Sequence, residues 1–474
     1  MLAPGLALSL RSAAQFRAGA ACLQQAAASR TSLSTPLIGS ALPTRRPLST
    51  AYPLLARLAP FSRRREPPQA VKPQQTDPLP TQEEDAALLY SDLPPPPKDA
   101  QQPSISRALL FLFGFSAVSF TCAACYSLRD TERIACEQRS RRDVFANISS
   151  FFSGAGDDAR GQDVWGPGAT DRSLAVAKKH ERATRLGLRM DWLVGWCNQL
   201  HLPAGLTEFV GRSYLIVTEK YINLSPSKEV VLPIVVANGA VFALWGIASV
   251  RRGGMWRWMT QNFLHRPSSN RMHTMLTSVF SHQTFLHFAF NNYALWSFGG
   301  SALIVAAHHA ASYRSGAHVP EASPTPHFLA FFATAGVFAA TVSHIVAAVR
   351  FRRISALHGL DVARAALGRQ GSLGASGAVY AAVVMSACAF PDAQLGIIFL
   401  PFITFPIGAG VAGLVAADVA GVLLRWRMFD HWAHLGGAAF GWVYWWYGAE
   451  AWERLKRVLV ERLRMGARGA VEQR

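Results

Sequence analysis

Residues 373–390 read LGASGAVYAAVVMSACAF, an apolar run that opens with Ser376 between two glycines. A second apolar run, at residues 433–449, opens with Ala-His-Leu-Gly-Gly and places His434 in its first turn. Serine is a weak nucleophile that needs an adjacent base, and histidine can serve first as that base and then as an acid. Because polar side chains are costly at membrane depth, they mark functional sites there. The two runs therefore predict acyl-transfer chemistry inside a bilayer.

The composition indicates an integral membrane protein. Half of the 474 residues are hydrophobic and only 16% are charged, whereas soluble domains average about 25% charged residues. The formal net charge is +18, but the basic residues form no nucleic-acid-binding motif, so we predict no nucleic-acid partner. The six cysteines are irregularly spaced and imply no disulfide framework.

The first part of the chain has the composition of a targeting segment. Residues 1–65 contain no Asp or Glu and are rich in Arg, Ser and Ala. This is typical of a mitochondrial or chloroplast transit peptide, with a disordered basic tail as the alternative. Residues 66–105 are rich in Pro and Gln and predict a disordered linker. Residues 106–128 contain an apolar run of spanning length, which predicts an extra transmembrane helix.

The remainder of the chain divides into a connecting region, a core and a tail. Residues 129–229 are mixed in character, and either amphipathic surface helices or a small soluble subdomain would fit them. Residues 395–405 read as a loop or a lead-in to the next helix because prolines interrupt them, and residues 451–474 form a charged tail. The core, residues 230–450, contains six apolar runs, at 230–250, 284–306, 327–349, 374–390, 405–424 and 433–449. We predict an all-α polytopic membrane protein with six core helices and one extra N-terminal helix.

Three of these core helices begin with polar residues at the same membrane face. Core helices two, four and six run in the same direction, so their first turns lie at similar depth. Helix two opens with His287 and Asn291, which are four residues apart and share a helix face. A His N–H, an Asn amide and the Ser376 backbone N–H, unpaired in the first helical turn, are suitable donors to an oxyanion. We therefore expect these donors beside the serine and histidine.

Small residues and one tyrosine would support this pair. Gly374 and Gly377 allow a neighbouring backbone to approach the serine closely. Gly437 and Gly441 have the small-xxx-small spacing of tight helix contacts in membranes. Tyr380 lies one turn after the serine on the same helix face and could hold the imidazole in orientation.

The histidines also permit a metal site. His431 and His434, with His282 and His287, could form a metal-binding cluster. Against it, the sequence has no HExxH motif, and no spacing ties Asp418, the only carboxylate inside a core run, to these histidines. We therefore predict no metal ion and no organic cofactor.

The combined motifs resemble those of the rhomboid intramembrane serine proteases. The resemblance covers residues 230–450 and rests on GxSG at one helix start, AHxxG two helices later and HxxxN two helices earlier. Trp256-Arg257 is similar to a Trp-Arg element of that family. The stretches IIFLP at 397–401, FDHWAHLGG at 429–437 and LWSF at 295–298 are similar to its mitochondrial, presenilin-associated rhomboid-like branch.

The resemblance implies roles for individual residues. Ser376 and His434 would form a catalytic dyad, and Asn291, His287 and the serine backbone N–H would line the oxyanion hole. The loop before the serine would be shaped by its glycine, and the tyrosine after it would support the histidine. Asp430 would be a loop residue, because the family is taken to work as a dyad.

The resemblance also implies a function and a location. The chain would be an intramembrane endopeptidase that acts through an acyl-enzyme, in the mitochondrial inner membrane, as a multi-pass protein in contact with the lipid bilayer. Its substrates would be single-span membrane proteins, for example a mitochondrial dynamin-like GTPase or imported precursors.

Two other functions stay open at this point. One is a catalytically silent rhomboid-like protein that binds membrane helices for quality control, although such proteins typically lack the serine or the histidine. The other is a metal-dependent membrane hydrolase or a transporter. A hydrolase of that kind would be inhibited by chelators and would keep its activity without Ser376.

Overall fold

Helices make up nearly all of the regular structure. The computed structural model describes residues 98–153, 165, 169–312, 318–397, 400–426 and 429–472, all within one compact unit of residues 78–474. The helices of the first half are α1 (Ile105–Ser153), α2 (Asp171–Gln199), α3 (Ala204–Ile222), α4 (Pro226–Arg251), α5 (Gly253–Asn262), α6 (Thr274–Thr277), α7 (Phe285–Phe298) and α8 (Ser301–Ser312). The second half contains α9 (Thr325–His358), α10 (Leu360–Leu367), α11 (Ser376–Ala389), β1 (Gln394–Ile397), β2 (Leu400–Pro406), α12 (Ile407–Leu423) and α13 (His431–Glu472).

Several of these helices suit a bilayer. Within the described part of the chain, three segments are long and apolar enough to cross a membrane, at residues 105–139, 226–251 and 325–358. Helices α11 and α12 are shorter and apolar. The predicted class, a helical membrane protein, is confirmed, while the arrangement of six core helices plus one stays a prediction.

Helix α9 lies at the centre of the bundle. It packs against α1, α11 and α13, and its Phe328, Phe331 and Phe332 are buried among them. Lipid chains are as apolar as these side chains, so close packing rather than exclusion of water holds such helices together. Phe331 of α9 supplies part of that packing, since its ring contacts Phe440 and Tyr444 of α13.

Contacts between segments distinguish the two ends of the bundle. At one end the Gly374 N–H donates to the Ser278 carbonyl, and the Gln101 N–H donates to the Ser268 carbonyl. At the other end the Ala322 N–H donates to the Thr131 hydroxyl. We call the first the serine end, because Ser376 lies there, and the second the distal end. Helix α1 therefore begins at the serine end and reaches the distal end.

The N-terminal segments depart from their predicted boundaries. Residues 1–65, and 66–97 of the predicted linker, lie outside the described residues. Residues 98–104 pack on the serine end, where the Ser104 N–H donates to the Asn270 side chain over 2.8 Å. The predicted extra helix, 106–128, continues without a break to Ser153. The connecting region contains the long helices α2 and α3, which pack against each other.

The second core run, 284–306, is not one continuous helix. It is broken between α7 and α8 at Gly299 and Gly300. A Cβ at Gly300 would lie 2.3 Å from the Ser227 carbonyl oxygen, and one at Gly299 would lie 2.4 Å from Val231 Cγ1. The close approach of α4 therefore requires both glycines.

The described residues of the predicted loop or lead-in at 395–405 form two β-strands. Strands β1 and β2 pair as an antiparallel hairpin, with Gln394 opposite Pro406 and Gly396 opposite Thr404. The prolines disfavour a helix here, and pairing of the two strands satisfies the backbone N–H and C=O groups instead. The hairpin precedes α12 directly, so it ends the connection between α11 and α12.

The predicted charged tail is part of the helical structure. Helix α13 continues to Glu472, and Lys456 on it is fully buried. Its ammonium lies 2.7 Å from Glu453 and 3.7 Å from Glu321, which precedes α9. The Lys456 ammonium also donates to the Val319 carbonyl. A buried charge is stable only when it is paired in this way, so these contacts fix α13 to the loop before α9.

A histidine in the same loop extends this cluster to α2. His318 Nε2 lies 2.9 Å from Asp171 Oδ2, and its Nδ1 lies 3.4 Å from Glu453 Oε1. The contacts with Asp171 and then Glu453 outweigh burial and raise the pKa of His318 from 6.5 to about 9. The imidazolium therefore links α2 and α13 at the distal end.

We expect this link to weaken as pH rises. A group with a pKa of 6.5 unfolded and about 9 folded contributes roughly 3 kcal/mol below its unfolded pKa and loses this contribution as pH passes its folded pKa. His318→Asn should therefore melt below wild type at pH 6.5, and the difference should disappear above pH 9. Thermal unfolding in detergent measures it, with His180→Asn on the exposed surface of α2 as the control. A difference that is constant with pH would contradict the assignment.

Candidate active site

Ser376 is the first residue of α11, and the backbone before it is tightly fixed. Gly374 has φ +126°, a conformation that favours glycine. A Cβ there would lie 2.6 Å from His287 Cε1, so the imidazole ring packs directly over this residue. Ser372 exchanges two backbone hydrogen bonds with His265. These contacts set the position at which the serine enters the helix.

His434 meets the serine from α13. Its Nε2 lies 2.9 Å from Ser376 Oγ. The histidine is in the first turn of α13, where Asp430 Oδ1 accepts from the Ala433 N–H over 3.1 Å. This is the N-cap arrangement that begins a helix. Asp430 also accepts from the Ser343 hydroxyl on α9, so it fixes the start of α13.

A carboxylate of α12 contacts the other side of the imidazole. Asp418 Oδ1 lies 3.1 Å from His434 Nδ1 and 2.6 Å from His431 Nδ1. The carboxylate is 7% exposed. An acceptor at Nδ1 places the ring proton there and leaves the Nε2 lone pair free to accept from Ser376 Oγ–H. The three side chains thus form a chain of contacts from α12 through α13 to α11.

Packing holds both histidines in place. Tyr380 stacks on His434, with ring centroids 5.4 Å apart and planes 11° apart. The His431 ring lies against Gly421 of α12, where a Cβ would lie 2.4 Å from it. The predicted contact of Tyr380 with the imidazole is therefore present.

Glycines bring α11 and α13 into backbone contact. A Cβ at Gly437 would lie 2.0 Å from the Gly377 carbonyl oxygen, and one at Gly441 would lie 2.3 Å from the Ala381 carbonyl oxygen. At Gly377 a Cβ would lie 2.5 Å from the Ala339 methyl of α9. The small-xxx-small spacing thus lies at the contact of the two helices that carry the serine and the histidine.

Gly437→Ala is expected to separate these helices. The added methyl has no space, so cleavage should fall by roughly 100-fold, as for a displacement of about 1 Å in an active site. Stability should fall by about 1–3 kcal/mol. Gly413→Ala on α12, where a Cβ meets nothing within 4 Å, is the matched control and should keep both. Cleavage rates and melting temperatures are the measurements, and a fully active Gly437→Ala would show that close contact is unnecessary.

The predicted oxyanion donors lie on α7. The imidazole of His287 adjoins the loop before Ser376 through its contact with Gly374. The Asn291 side chain is buried and donates one amide hydrogen to the His287 carbonyl over 2.9 Å. Its second amide hydrogen is left for another acceptor. The structure brings His287 to the serine loop, and donation by Asn291 to an oxyanion stays a prediction.

His282 contacts the backbone of the same loop. Its Nε2 accepts from the Ala375 N–H over 3.4 Å, and its ring lies edge-on to His287. Burial, followed by the charge of the neighbouring His287, lowers the pKa of His282 to about 4. The ring is therefore neutral near pH 7 and can accept this hydrogen bond.

The histidines do not form a metal site in the described residues. No three His, Cys, Asp or Glu side chains there are arranged to hold a metal ion. His282 and His287 contact each other, whereas His431 and His434 contact Asp418. The four histidines of the alternative cluster therefore have different partners.

A family model matches most of the core. Residues 269–451 match the Rhomboid domain. The chain contains a rhomboid domain. It is 36% identical to presenilin-associated rhomboid-like protein, mitochondrial, of Bos taurus over 230 residues, which are 48% of this chain and 51% of that protein. The Homo sapiens protein of the same name is also 36% identical, over 48% of this chain and 50% of its own length.

More distant relatives carry similar names. Rhomboid protein 1, mitochondrial, of Saccharomyces cerevisiae is 30% identical over 264 residues, 54% of this chain and 64% of that protein. The chain thus spans about half the length of the first curated relatives it matches. The search of solved structures found no significant match.

Within the rhomboid domain, one residue at the site was not predicted. No spacing in the sequence ties Asp418 to the histidines, yet it contacts both His431 and His434. The available signal was its position as the only carboxylate inside a core apolar run. A carboxylate at that depth marks a functional site as much as a serine does.

Proposed function

We propose that this chain is an intramembrane serine endopeptidase of the mitochondrial inner membrane that cleaves peptide bonds in or near transmembrane segments. The observation that carries the proposal is the 2.9 Å contact between Ser376 Oγ and His434 Nε2. The rhomboid domain supports proteolysis. The mitochondrial names of the relatives, together with the acid-free composition of residues 1–65, support the location.

The geometry supports a two-step acyl transfer. His434 Nε2 removes the hydroxyl proton as Ser376 Oγ attacks the scissile carbonyl carbon. The imidazolium then gives this proton to the leaving amine, and an acyl-enzyme remains. In the second step the imidazole removes a proton from water as the water oxygen attacks the acyl carbon. The imidazolium then returns this proton to Ser376 Oγ as the ester bond breaks and the acid product leaves. Asp418 at Nδ1 stabilises the imidazolium that forms in both steps.

Negative charge develops on the carbonyl oxygen in each step. The backbone N–H of Ser376 is in the first helical turn, where no intrahelical acceptor is available. We assign the other donors to His287 and Asn291 on α7. One such donor is worth about 3–4 kcal/mol of transition-state stabilisation.

The short length of α11 allows water to reach the site. Its 14 residues span about 21 Å at 1.5 Å per residue, less than the roughly 30 Å of a hydrocarbon core. Ser376 then lies in a depression below the membrane surface. A scissile bond must leave its helical form to be attacked there, so substrate spans of low helical propensity are preferred.

The same proposal includes the membrane arrangement and the substrates. Helix α1 is an added span beside six core spans, of which the second is formed by α7 and α8 together. Single-span proteins of the inner membrane, such as a dynamin-like GTPase or imported precursors, are the substrate class. No metal ion or organic cofactor takes part.

Cleavage of a single-span reporter in liposomes tests the proposal. The wild-type chain should cut the reporter, a fluorophosphonate should label it and stop cleavage, and a chelator should have no effect. Inhibition by the chelator alone would instead favour a metal-dependent hydrolase. A reporter that binds but stays intact, with no fluorophosphonate labelling, would favour a catalytically silent helix-binding protein.

A further inference from the structure

Helices α2 and α3 form an antiparallel pair at the distal end. They are joined by a short turn, and a Cβ at Gly211 of α3 would lie 3.7 Å from Val194 Cγ2 of α2. The Tyr214 hydroxyl donates to the Leu186 carbonyl over 3.0 Å, and Cys197 is buried. Each helix thus uses one face to contact the other.

Both helices also carry large apolar side chains that other described residues leave exposed. On α2, Leu188, Trp192 and Trp196 recur every four residues and are 66%, 68% and 49% exposed. The two tryptophan rings are stacked, with centroids 6.3 Å apart. On α3, Phe209 and Val217 are each 66% exposed. A row of exposed apolar side chains such as that on α2 marks an interaction surface.

One end of the pair is attached to a spanning helix. Arg182 in the middle of α2 forms an ion pair with Glu229, in the first turn of α4, and its guanidinium lies over the Tyr221 ring. Helix α3 ends at Ile222, and the spanning helix α4 begins at Pro226. The end of the pair that carries Arg182 and Tyr221 is therefore held beside the first turn of α4.

The chemistry of the surface fits a lipid headgroup region. Helix α2 contains six Lys or Arg against three Asp or Glu, and Arg185 and Arg189 flank Leu188. Tryptophan is enriched where one part of a ring meets hydrocarbon and another meets water. Basic residues beside an apolar stripe are the pattern of helices that lie in the plane of an anionic membrane surface.

We propose that α2 and α3 lie on the bilayer surface at the distal end, with the exposed apolar side chains of both helices inserted between anionic lipid headgroups. This surface is separate from the serine end and does not depend on proteolysis. It anchors residues 169–225 of the connecting region to the leaflet opposite the active-site face. It also decides between the two possibilities that the sequence left open for this region, in favour of surface helices.

Depth-dependent quenching in the full chain tests this proposal. The native cysteines are replaced by alanine, and one cysteine at Leu188 or Phe209 is labelled with an environment-sensitive fluorophore. Lys179→Cys, at an exposed position on the N-terminal half of α2, is the matched control. The chain is placed in phosphatidylcholine vesicles with about one-fifth phosphatidylglycerol, because basic surfaces bind anionic lipid.

The probes at 188 and 209 are expected to be quenched from the lipid, and the control probe at 179 from the water. Nitroxide-labelled lipid chains should quench the probes at 188 and 209. Aqueous iodide should quench these two probes roughly fivefold less than it quenches the probe at 179, as expected for side chains buried in a membrane interface. Replacing Trp192 and Trp196 by glutamate should restore iodide access at 209. Strong iodide quenching at all three wild-type sites would show a solvent-exposed face. Protection at 188 and 209 from both quenchers would show a protein partner, including a second copy, and either result would overturn the proposal.

Discussion

Ser376→Ala and His434→Ala are each expected to lower reporter cleavage by about 10⁴- to 10⁶-fold, and the double variant should be no slower than either. The reason is that the two side chains act as one unit: without the base the hydroxyl is not activated, and without the hydroxyl the base has no nucleophile to activate. Removal of one partner then costs about as much as removal of both. Initial cleavage rates in liposomes, at equal amounts of folded protein, provide the measurement.

A serine further along the same helix provides the control. Ser386 lies on α11 and donates to the Phe298 carbonyl over 3.0 Å, so Ser386→Ala removes a hydroxyl from the helix but not from the site. Its cleavage rate should stay within a few-fold of wild type. Fluorophosphonate labelling should be absent in Ser376→Ala and strongly slowed in His434→Ala. Equal cleavage by Ser376→Ala and wild type would disprove the serine mechanism.

The elements of the site that sequence could predict depend on local patterns. Ser376 and His434 stand at the starts of apolar runs, and Tyr380 follows the serine by one helical turn, so its ring shares the serine's helix face. Gly437 and Gly441 are one turn apart, which places both on the contact with α11. In each case the period of a helix fixes the relation, and no knowledge of the packing of other helices is needed.

Asp418 could not be found in this way, because its contact depends on how two helices pack. It lies on α12, 16 residues before His434, and the loop between the helices sets its register. No helical period relates the two positions. The cost of a buried carboxylate inside an apolar run was nevertheless visible, and it applies to Asp418 as it does to Ser376.

The departures of the fold from its predicted elements have a similar origin. The break at Gly299 and Gly300 arises because α4 approaches at Ser227 and Val231, which lie about 70 residues earlier in the chain. Apolar composition alone predicted a continuous helix there. Likewise, the charged residues after residue 450 indicated a tail, whereas Lys456 finds its buried partners in the loop before α9.

Asp418→Asn is expected to lower kcat by about 10³- to 10⁴-fold with little change in KM. The carboxylate accepts at His434 Nδ1 and so keeps the proton on that nitrogen. An amide can instead donate to Nδ1, which moves the proton to Nε2 and removes the lone pair that accepts from Ser376. In a serine protease triad this exchange of Asp for Asn costs about 10⁴ in kcat while the geometry is preserved. Asp418→Glu restores the acceptor and should recover part of the loss.

A variant of Asp430, the other aspartate near the site, distinguishes an effect on the orientation of His434 from an effect on the start of α13. Asp430 caps α13 and accepts from Ser343, so Asp430→Asn should cost at most about 1 kcal/mol of stability and leave kcat within a few-fold of wild type. Steady-state kinetics and melting curves of both variants, in the same lipid, make the comparison. A kcat for Asp418→Asn close to wild type would mean that Ser376 and His434 suffice as a dyad. A loss confined to Asp418→Asn, with its melting temperature unchanged, would mean that the carboxylate of α12 sets the tautomer of the catalytic base.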